Sequence, residues 1–246
     1  MTRKEELRGI LKVALREKFI QCPPNEIQRL SLAALANLIS LPVLRVSETT
    51  MLYIEMPREF PVTPFIFPLL NHPSRRIVVP WCDGNSLRTF CLISAGEVKT
   101  PSDLNLLCAK RLAPSSYGIF EPKEELRFHP DFQVEPDQID LVIIPGLGFD
   151  RSCRRLGRGK GYYDRFITAL RRNVPLVGVC FDEQIVERVP TEPHDRALDY
   201  VVTPIQVYAA ESNANKFKFH EVPTLSPTQQ SIENRNASEE RNNEKN

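Results

Sequence analysis

Several things are scarce in this 246-residue chain, and each shortage removes a class of function. Net charge is one of them. Lys and Arg number 32 against 31 Asp and Glu, a formal net charge of +1, so no global field draws the chain to nucleic acid or to an anionic membrane. The six cysteines, Cys22, Cys82, Cys91, Cys108, Cys153 and Cys180, show no C-x-x-C spacing. That argues against a zinc ribbon and a disulfide framework and fits a reducing compartment, the cytosol. No run approaches the roughly eighteen consecutive apolar residues of a membrane span. The opening MTRKEELRGILKVALREKF mixes acids into a broken apolar pattern and suits neither a signal nor a transit peptide. Glycine is also sparse at ten, and five of those fall between 146 and 161. Backbone freedom is therefore concentrated in one segment.

The 41% of hydrophobic residues is enough for one large globular domain. Leu7, Ile10, Leu11, Ala14 and Leu15 recur at spacings of three and four, predicting an amphipathic helix over residues 3–19. A second helical pattern runs through LSLAALANLIS from near Ser31 and stops before Pro42. Short apolar runs follow as strands: TTMLYI, RRIVVP and IDLVIIP, the last without alternation, as in a central strand covered on both faces. A helix from about Tyr163, a buried strand PLVGVCF, a short helix DEQIVERV and a closing strand LDYVVTP complete the pattern. The fold class expected is α/β: a mostly parallel twisted sheet flanked by helices, over residues 1–209. From 210 to 246 the chain is poor in apolar residues and rich in Asn, Glu and Ser, predicting a disordered polar tail.

The densest chemical signal is IIPGLGFDRSCRRLGRGKGYYDRFI, where an apolar strand runs into five glycines and five cations before a helix starts. Ligands in open α/β sheets bind at such C-terminal strand ends. Gly157, Gly159 and Gly161 let the backbone approach phosphate, and Arg155, Arg158 and Lys160 add charge-assisted hydrogen bonds. A solvated basic turn is the alternative reading of such a cluster. The loop is not a Walker A motif, which needs glycine at Arg154 and Ser or Thr at Gly161. Nor is it a Rossmann fingerprint, since Tyr162 stands where the third glycine belongs.

PGLGFD followed by RLGRGKGYYDRF resembles the signature of the 5-formyltetrahydrofolate cyclo-ligase family. Three more segments agree in order: Lys4-x-x-Leu7-Arg8, Gly118-Ile119-Phe120-Glu121-Pro122, and FDEQIVERVPTEPHD ending at Asp195. Together they cover residues 4 to 204. The resemblance implies a reaction in which ATP and 5-formyltetrahydrofolate become 5,10-methenyltetrahydrofolate, ADP and phosphate, through a phosphorylated formyl group. It implies ATP contacts at Lys4, Arg8, Arg155, Leu156, Gly157, Arg158, Gly159, Lys160, Gly161, Tyr162 and Tyr163, with Arg155 and Lys160 catalytic through charge stabilisation. Mg²⁺ ligation falls on Asp164 and Asp195; without the resemblance, Asp164 reads as a helix-start acid and Asp195 as a turn residue. Folate contacts fall on Ile54, Met56, Glu59 and Tyr117, sharing Arg158, Gly159, Lys160, Gly161 and Tyr162 with the nucleotide.

Two departures stand out. FPVT carries one residue more than the family's usual acidic-apolar-acidic-Thr stretch, and Cys153 stands where the family commonly has glycine. Two alternatives stay open: a relative that binds nucleotide or folate without cyclising it, and an RNA-associated module, which the near-zero charge disfavours. A cytoplasmic monomer without nucleic-acid or membrane partners is expected.

Overall fold

The computed structural model describes residues 2–115, 118–192 and 195–214, and one compact unit spans Met1–Asn213. The first helix, α1 (Arg3–Gln21), starts at a reciprocal cap in which Thr2 Oγ1 accepts from the Glu5 N–H and Glu5 accepts from the Thr2 N–H. Helix α2 (Pro24–Ser40) begins seven residues before the apolar pattern at Ser31, because Pro24 supplies a helix start through its fixed φ. The chain continues through α3 (Pro42–Arg45), β1 (Thr49–Leu52), α4 (Ile66–Leu69), the hairpin β2 (Arg76–Asp83) and β3 (Ser86–Ser94), and α5 (Pro101–Arg111). There follow β4 (Leu112–Pro114), β5 (Phe120–Pro122), β6 (Leu141–Ile144), β7 (Gly148–Asp150), β8 (Arg155–Leu156), α6 (Tyr162–Ala169) and β9 (Leu176–Val179). The last elements are β10 (Ile185–Val186), β11 (Tyr200–Val202), β12 (Val207–Ala209) and α7 (Glu211–Ala214).

A seven-stranded sheet runs β12-β11-β9-β6-β1-β2-β3. The five inner strands pair in parallel, and β3 and β12 close its edges antiparallel. Every residue of β1, β6 and β9 is buried, as the unalternating apolar runs predict. On one face Met51, Val142, Ile144 and Val201 pack with Phe166 and Ile167 of α6 and with Leu170 just beyond it. The α/β class with helices flanking a mostly parallel sheet is thus as the pattern indicates.

Three sequence expectations change. Strand β3 had no clean alternation to announce it, and it forms as the return arm of the hairpin from β2. DEQIVERV is not a helix: a 3-10 turn over Asp182–Gln184 gives way to β10, which pairs parallel with β7. LDYVVTP does not end the sheet, since β12 adds outside β11. Helix α7 lies within the expected tail, and there Asn213 Nδ2 donates to Asp199 Oδ1 at 2.9 Å. Residues 215–246, and with them most of that tail, fall outside the described residues.

The Cys153 substitution is accommodated in the turn between β7 and β8. Its φ is 60°, the left-handed conformation that glycine adopts freely and cysteine does not. Its side chain is fully buried, the Sγ–H donates to Tyr208 O at 3.6 Å, and burial together with nearby Asp150 pushes the thiol pKa to about 12. Strain and burial therefore oppose each other at this position. Cys153→Ala loses the buried sulfur and keeps the strain, whereas Cys153→Gly loses the sulfur and relieves about 1–2 kcal/mol of backbone strain. The glycine variant is expected to be at least as stable as the alanine one in thermal unfolding. An alanine variant that is clearly the more stable would show that the turn relaxes out of the left-handed region.

Candidate active site

A cavity of about 400 Å³ opens where the parallel strands end. Tyr53 and Ile54 follow β1, Pro145 and Gly146 follow β6, and Trp81 and Cys82 contribute from β2. Phe120 and Glu121 of β5 line it as well, as do residues 157–161. This is the crevice beyond the carboxyl ends of the strands where α/β sheets bind ligands.

The glycine-rich segment is not one loose loop. It folds into the antiparallel pair β7–β8, with β10 parallel to β7. Asp150, fully buried, fixes the turn by accepting from the Ser152 and Arg154 N–H groups (3.0 and 3.1 Å), from Arg154 Nε (2.6 Å) and from the Val189 N–H (2.8 Å). Beyond β8, Gly159 and Gly161 take φ of 97° and 67°, and Gly161 starts α6 without any side-chain cap. The first-turn N–H groups of α6 thus keep their donors free of intrahelical partners beside the cavity.

The cations fall into three pairs with carboxylates. Arg155, its side chain only 8% exposed, bonds Asp164, donates to Pro145 O at 3.2 Å and lies 5.9 Å from the Tyr163 ring. Arg158 Nε donates to Glu59 Oε1 at 2.7 Å, spanning from the glycine segment to the β1–α4 connection. Lys4 pairs with Asp195 at 2.7 Å. Arg8 Nε donates to Gly157 O at 2.9 Å, which holds the N-terminal half of α1 over the glycine segment. Glu59 is set by its second oxygen, which accepts from the Met56 N–H at 2.9 Å, with Arg58 at φ 68° making the turn. Burial and the charge of Glu59 raise the Tyr163 phenol far above its ordinary pKa, so it is a hydrogen-bond donor at any working pH. Tyr162 closes the other side through a 3.0 Å bond to Gly84 O.

Ile54, Met56, Glu59, Arg155, Gly157, Arg158, Gly159, Lys160, Gly161, Tyr162, Tyr163 and Asp164 all line this one cavity. Lys4, Arg8 and Asp195 cluster beside it without lining it, and Leu156 is buried in β8. Tyr117 lies outside the described residues. Among the described residues no three His, Cys, Asp or Glu gather as a metal cluster; Asp164 lines the cavity and Asp195 does not. Sequence reasoning missed Lys12, Tyr53, Trp81, Cys82 and Glu121. Lys12 was legible as the next cation after Lys4 and Arg8 at a spacing of four. Glu121 is buried and bonded to Arg127 at 3.2 Å; burial of the Cys82 thiol, with the charge of Glu121 beside it, raises that thiol's pKa.

The sequence model of the 5-formyltetrahydrofolate cyclo-ligase family matches residues 1–204. The chain is 28% identical over 216 residues to a probable 5-formyltetrahydrofolate cyclo-ligase of Schizosaccharomyces pombe, covering 83% of this chain and 97% of that one. It is 28% identical over 196 residues to 5-formyltetrahydrofolate cyclo-ligase of Escherichia coli, covering 79% and 98%. Among solved structures, 5,10-methenyltetrahydrofolate synthetase of Aquifex aeolicus matches with a TM-score of 0.66 at 28% identity, over 90% of this chain and all of that one.

Proposed function

This chain belongs to the 5-formyltetrahydrofolate cyclo-ligase family, and from that premise we propose that it closes 5-formyltetrahydrofolate to 5,10-methenyltetrahydrofolate at the cost of one ATP. The observation that carries the reading is the meeting, in a single apolar cavity, of the glycine segment with the residues around Glu59. Two substrates must touch for this reaction, and one cavity bordered by both segments suits that need.

The residues fit ATP and Mg²⁺. Left-handed glycines at 159 and 161 bring backbone close, the α6 N-terminus offers N–H donors, and Arg155, Arg158 and Lys160 supply positive charge. Asp164 gives a carboxylate at the same rim, and Asp195 a second one beside Lys4 and the α1 N-terminus. ATP, when bound, supplies the phosphoryl group that makes the formyl oxygen a leaving group. Arg155 and Lys160 stabilise the charge that develops on the transferring oxygens. Glu59, Ile54 and Met56 hold the pterin so that the formyl oxygen faces the glycine segment. The apolar walls from Tyr53, Trp81 and Leu87 exclude water that would intercept the activated formyl carbon. Ring closure forms the N10–C bond as the C–O bond breaks, the phosphate leaves and the N10 proton is lost to solvent; no protein nucleophile is required. Binding would redistribute the pairs: Arg158 released by Glu59 turns to phosphate, and Glu59 turns to the pterin.

The direct test incubates the protein with 5-formyltetrahydrofolate, ATP and Mg²⁺ and follows methenyl-folate absorbance. Steady product formation that requires ATP supports the reading; tight folate binding without product would leave a binding protein instead. Asp164→Asn is expected to weaken the apparent affinity for Mg²⁺-ATP by about tenfold or more while leaving 5-formyltetrahydrofolate binding nearly unchanged, because it removes a ligating charge. An unaltered Mg²⁺ requirement would return Asp164 to the role of a helix-start acid.

A further inference from the structure

We propose that Asp150 is a positioning residue that holds Asp195 in register with the glycine segment, so that the two ends of the nucleotide site keep a fixed spacing. Asp195 stands in the connection between β10 and β11, where residues 190–192 and 195–197 are exposed or half-buried. Its local tie is one turn: the Asp195 N–H donates to Glu192 O at 3.0 Å, and the Glu192 N–H donates to Asp195 Oδ2 at 2.7 Å. The two buried ends of the connection are tied elsewhere, and both to the same place. The Val189 N–H donates to Asp150 Oδ2 at 2.8 Å, and the Leu198 N–H donates to Cys153 O at 2.9 Å. Residues 150–154 are thus one footing for both ends of the segment carrying Asp195, and they lead directly into β8 and Gly157.

The two oxygens of Asp150 do different things. Oδ1 accepts from the Ser152 and Arg154 N–H groups and shapes the turn, whereas Oδ2 accepts from Arg154 Nε and from Val189, reaching across to the Asp195 connection. A neutral Asn or Ser side chain serves a turn of this kind equally well. A fully buried carboxylate is a costly group to place, and what it adds over those is the second oxygen's hold on Val189 and Arg154. Helix α1 spans the same two parts, since Lys4 meets Asp195 at 2.7 Å and Arg8 meets Gly157 O at 2.9 Å. The spacing is therefore set at one end by Asp150 and at another by α1. This assignment rests on the proposed function, under which Asp195 and the glycine segment must meet one Mg²⁺-ATP. Groups that orient metal-ligating residues change metal affinity by about 10–100-fold without touching the metal.

The test uses two variants of the same buried pair. Asp150→Asn keeps the side chain's shape but, with its oxygen toward Ser152 and Arg154, turns an NH₂ group toward two donors, the Val189 N–H and Arg154 Nε. Arg154→Lys disturbs the pair and leaves Oδ2 to Val189. Kd for a Mg²⁺-loaded non-hydrolysable ATP analogue and Kd for 5-formyltetrahydrofolate are measured for both variants and the unsubstituted protein, below the melting transition of each. Asp150→Asn is expected to raise Kd for the analogue about tenfold or more and to leave that for the folate within about twofold. Arg154→Lys should hold both near the unsubstituted values even where it lowers Tm. Equal losses for analogue and folate in Asp150→Asn, equal analogue losses in the two variants, or an unmoved analogue Kd in Asp150→Asn would each overturn the proposal. Should Asp150→Asn fail to fold, amide hydrogen exchange of the unsubstituted protein decides: Val189 and Leu198 should exchange slowly before any nucleotide is added, and exchange at either as fast as at exposed Ala197 would overturn the proposal. If the unsubstituted protein did not bind the analogue, the functional reading would fail and this inference with it. Binding of both ligands with Asp150→Asn indifferent would fell the inference alone.

Discussion

Replacing Arg155 with alanine is expected to lower kcat/KM for ATP by about thirty- to thousand-fold, corresponding to about 2–4 kcal/mol of lost transition-state stabilisation. Sequence alone makes Arg155 a loop cation with little bearing on folding. The structure puts it in β8 with its side chain nearly buried, bonded to Asp164 and to Pro145 O. Its removal therefore also strips a donor from a backbone carbonyl and packing from the cavity floor, and about 1–2 kcal/mol of folding stability should go with the activity. Arg155→Lys restores the charge but not the planar fork that reaches two partners, so it should recover only part of either loss. Kinetics measured beside thermal unfolding separate the effects. Activity falling by no more than the fraction unfolded would make Arg155 purely structural. Wild-type kinetics in the alanine variant would remove it from the phosphate site.

The largest stability effect is expected at Gly178→Ala. Gly178 lies within β9, and a Cβ there would come within 2.5 Å of the Phe149 ring and 2.9 Å of Leu198. Phe149 is fully buried, and the tip of its ring also lies against Gly146, where a Cβ would meet it at 2.5 Å. The ring packs closely on both glycines, and its full burial leaves little room to retreat. Overpacking of this kind costs about 3 kcal/mol, which for a chain of this size lowers Tm by about 6–12 °C. Reducing the ring should rescue it: Gly178→Ala combined with Phe149→Leu is expected to be more stable than Gly178→Ala alone, since residues in contact couple non-additively. Additive losses in the double variant would mean that the strain lies elsewhere.

Much of this was legible before the structure. The parallel sheet follows from apolar runs such as IDLVIIP, because burial on both faces leaves no polar alternation. The glycine segment announced itself because phosphate recognition needs backbone freedom and cations in the same place. What stayed hidden depends on contacts between distant residues. The pairing of Arg158 with Glu59 joins positions 99 apart in sequence. Gly178 within PLVGVCF signals a close approach but not that Phe149 makes it. Strand β10 was read as helix because a two-residue strand has too few side chains to show a period, and it exists only through its pairing with β7. Trp81 and Cys82 sit at the end of a strand that looked like any other, and only the fold brings them to the cavity.

The central claim is that ATP drives ring closure by activating the formyl oxygen, and the label of that oxygen tests it most directly. 5-Formyltetrahydrofolate carrying ¹⁸O in the formyl group should be converted with one ADP formed for each methenyl-folate, and the released phosphate should carry the label. Unlabelled phosphate, or methenyl-folate formed without ADP, would contradict the account.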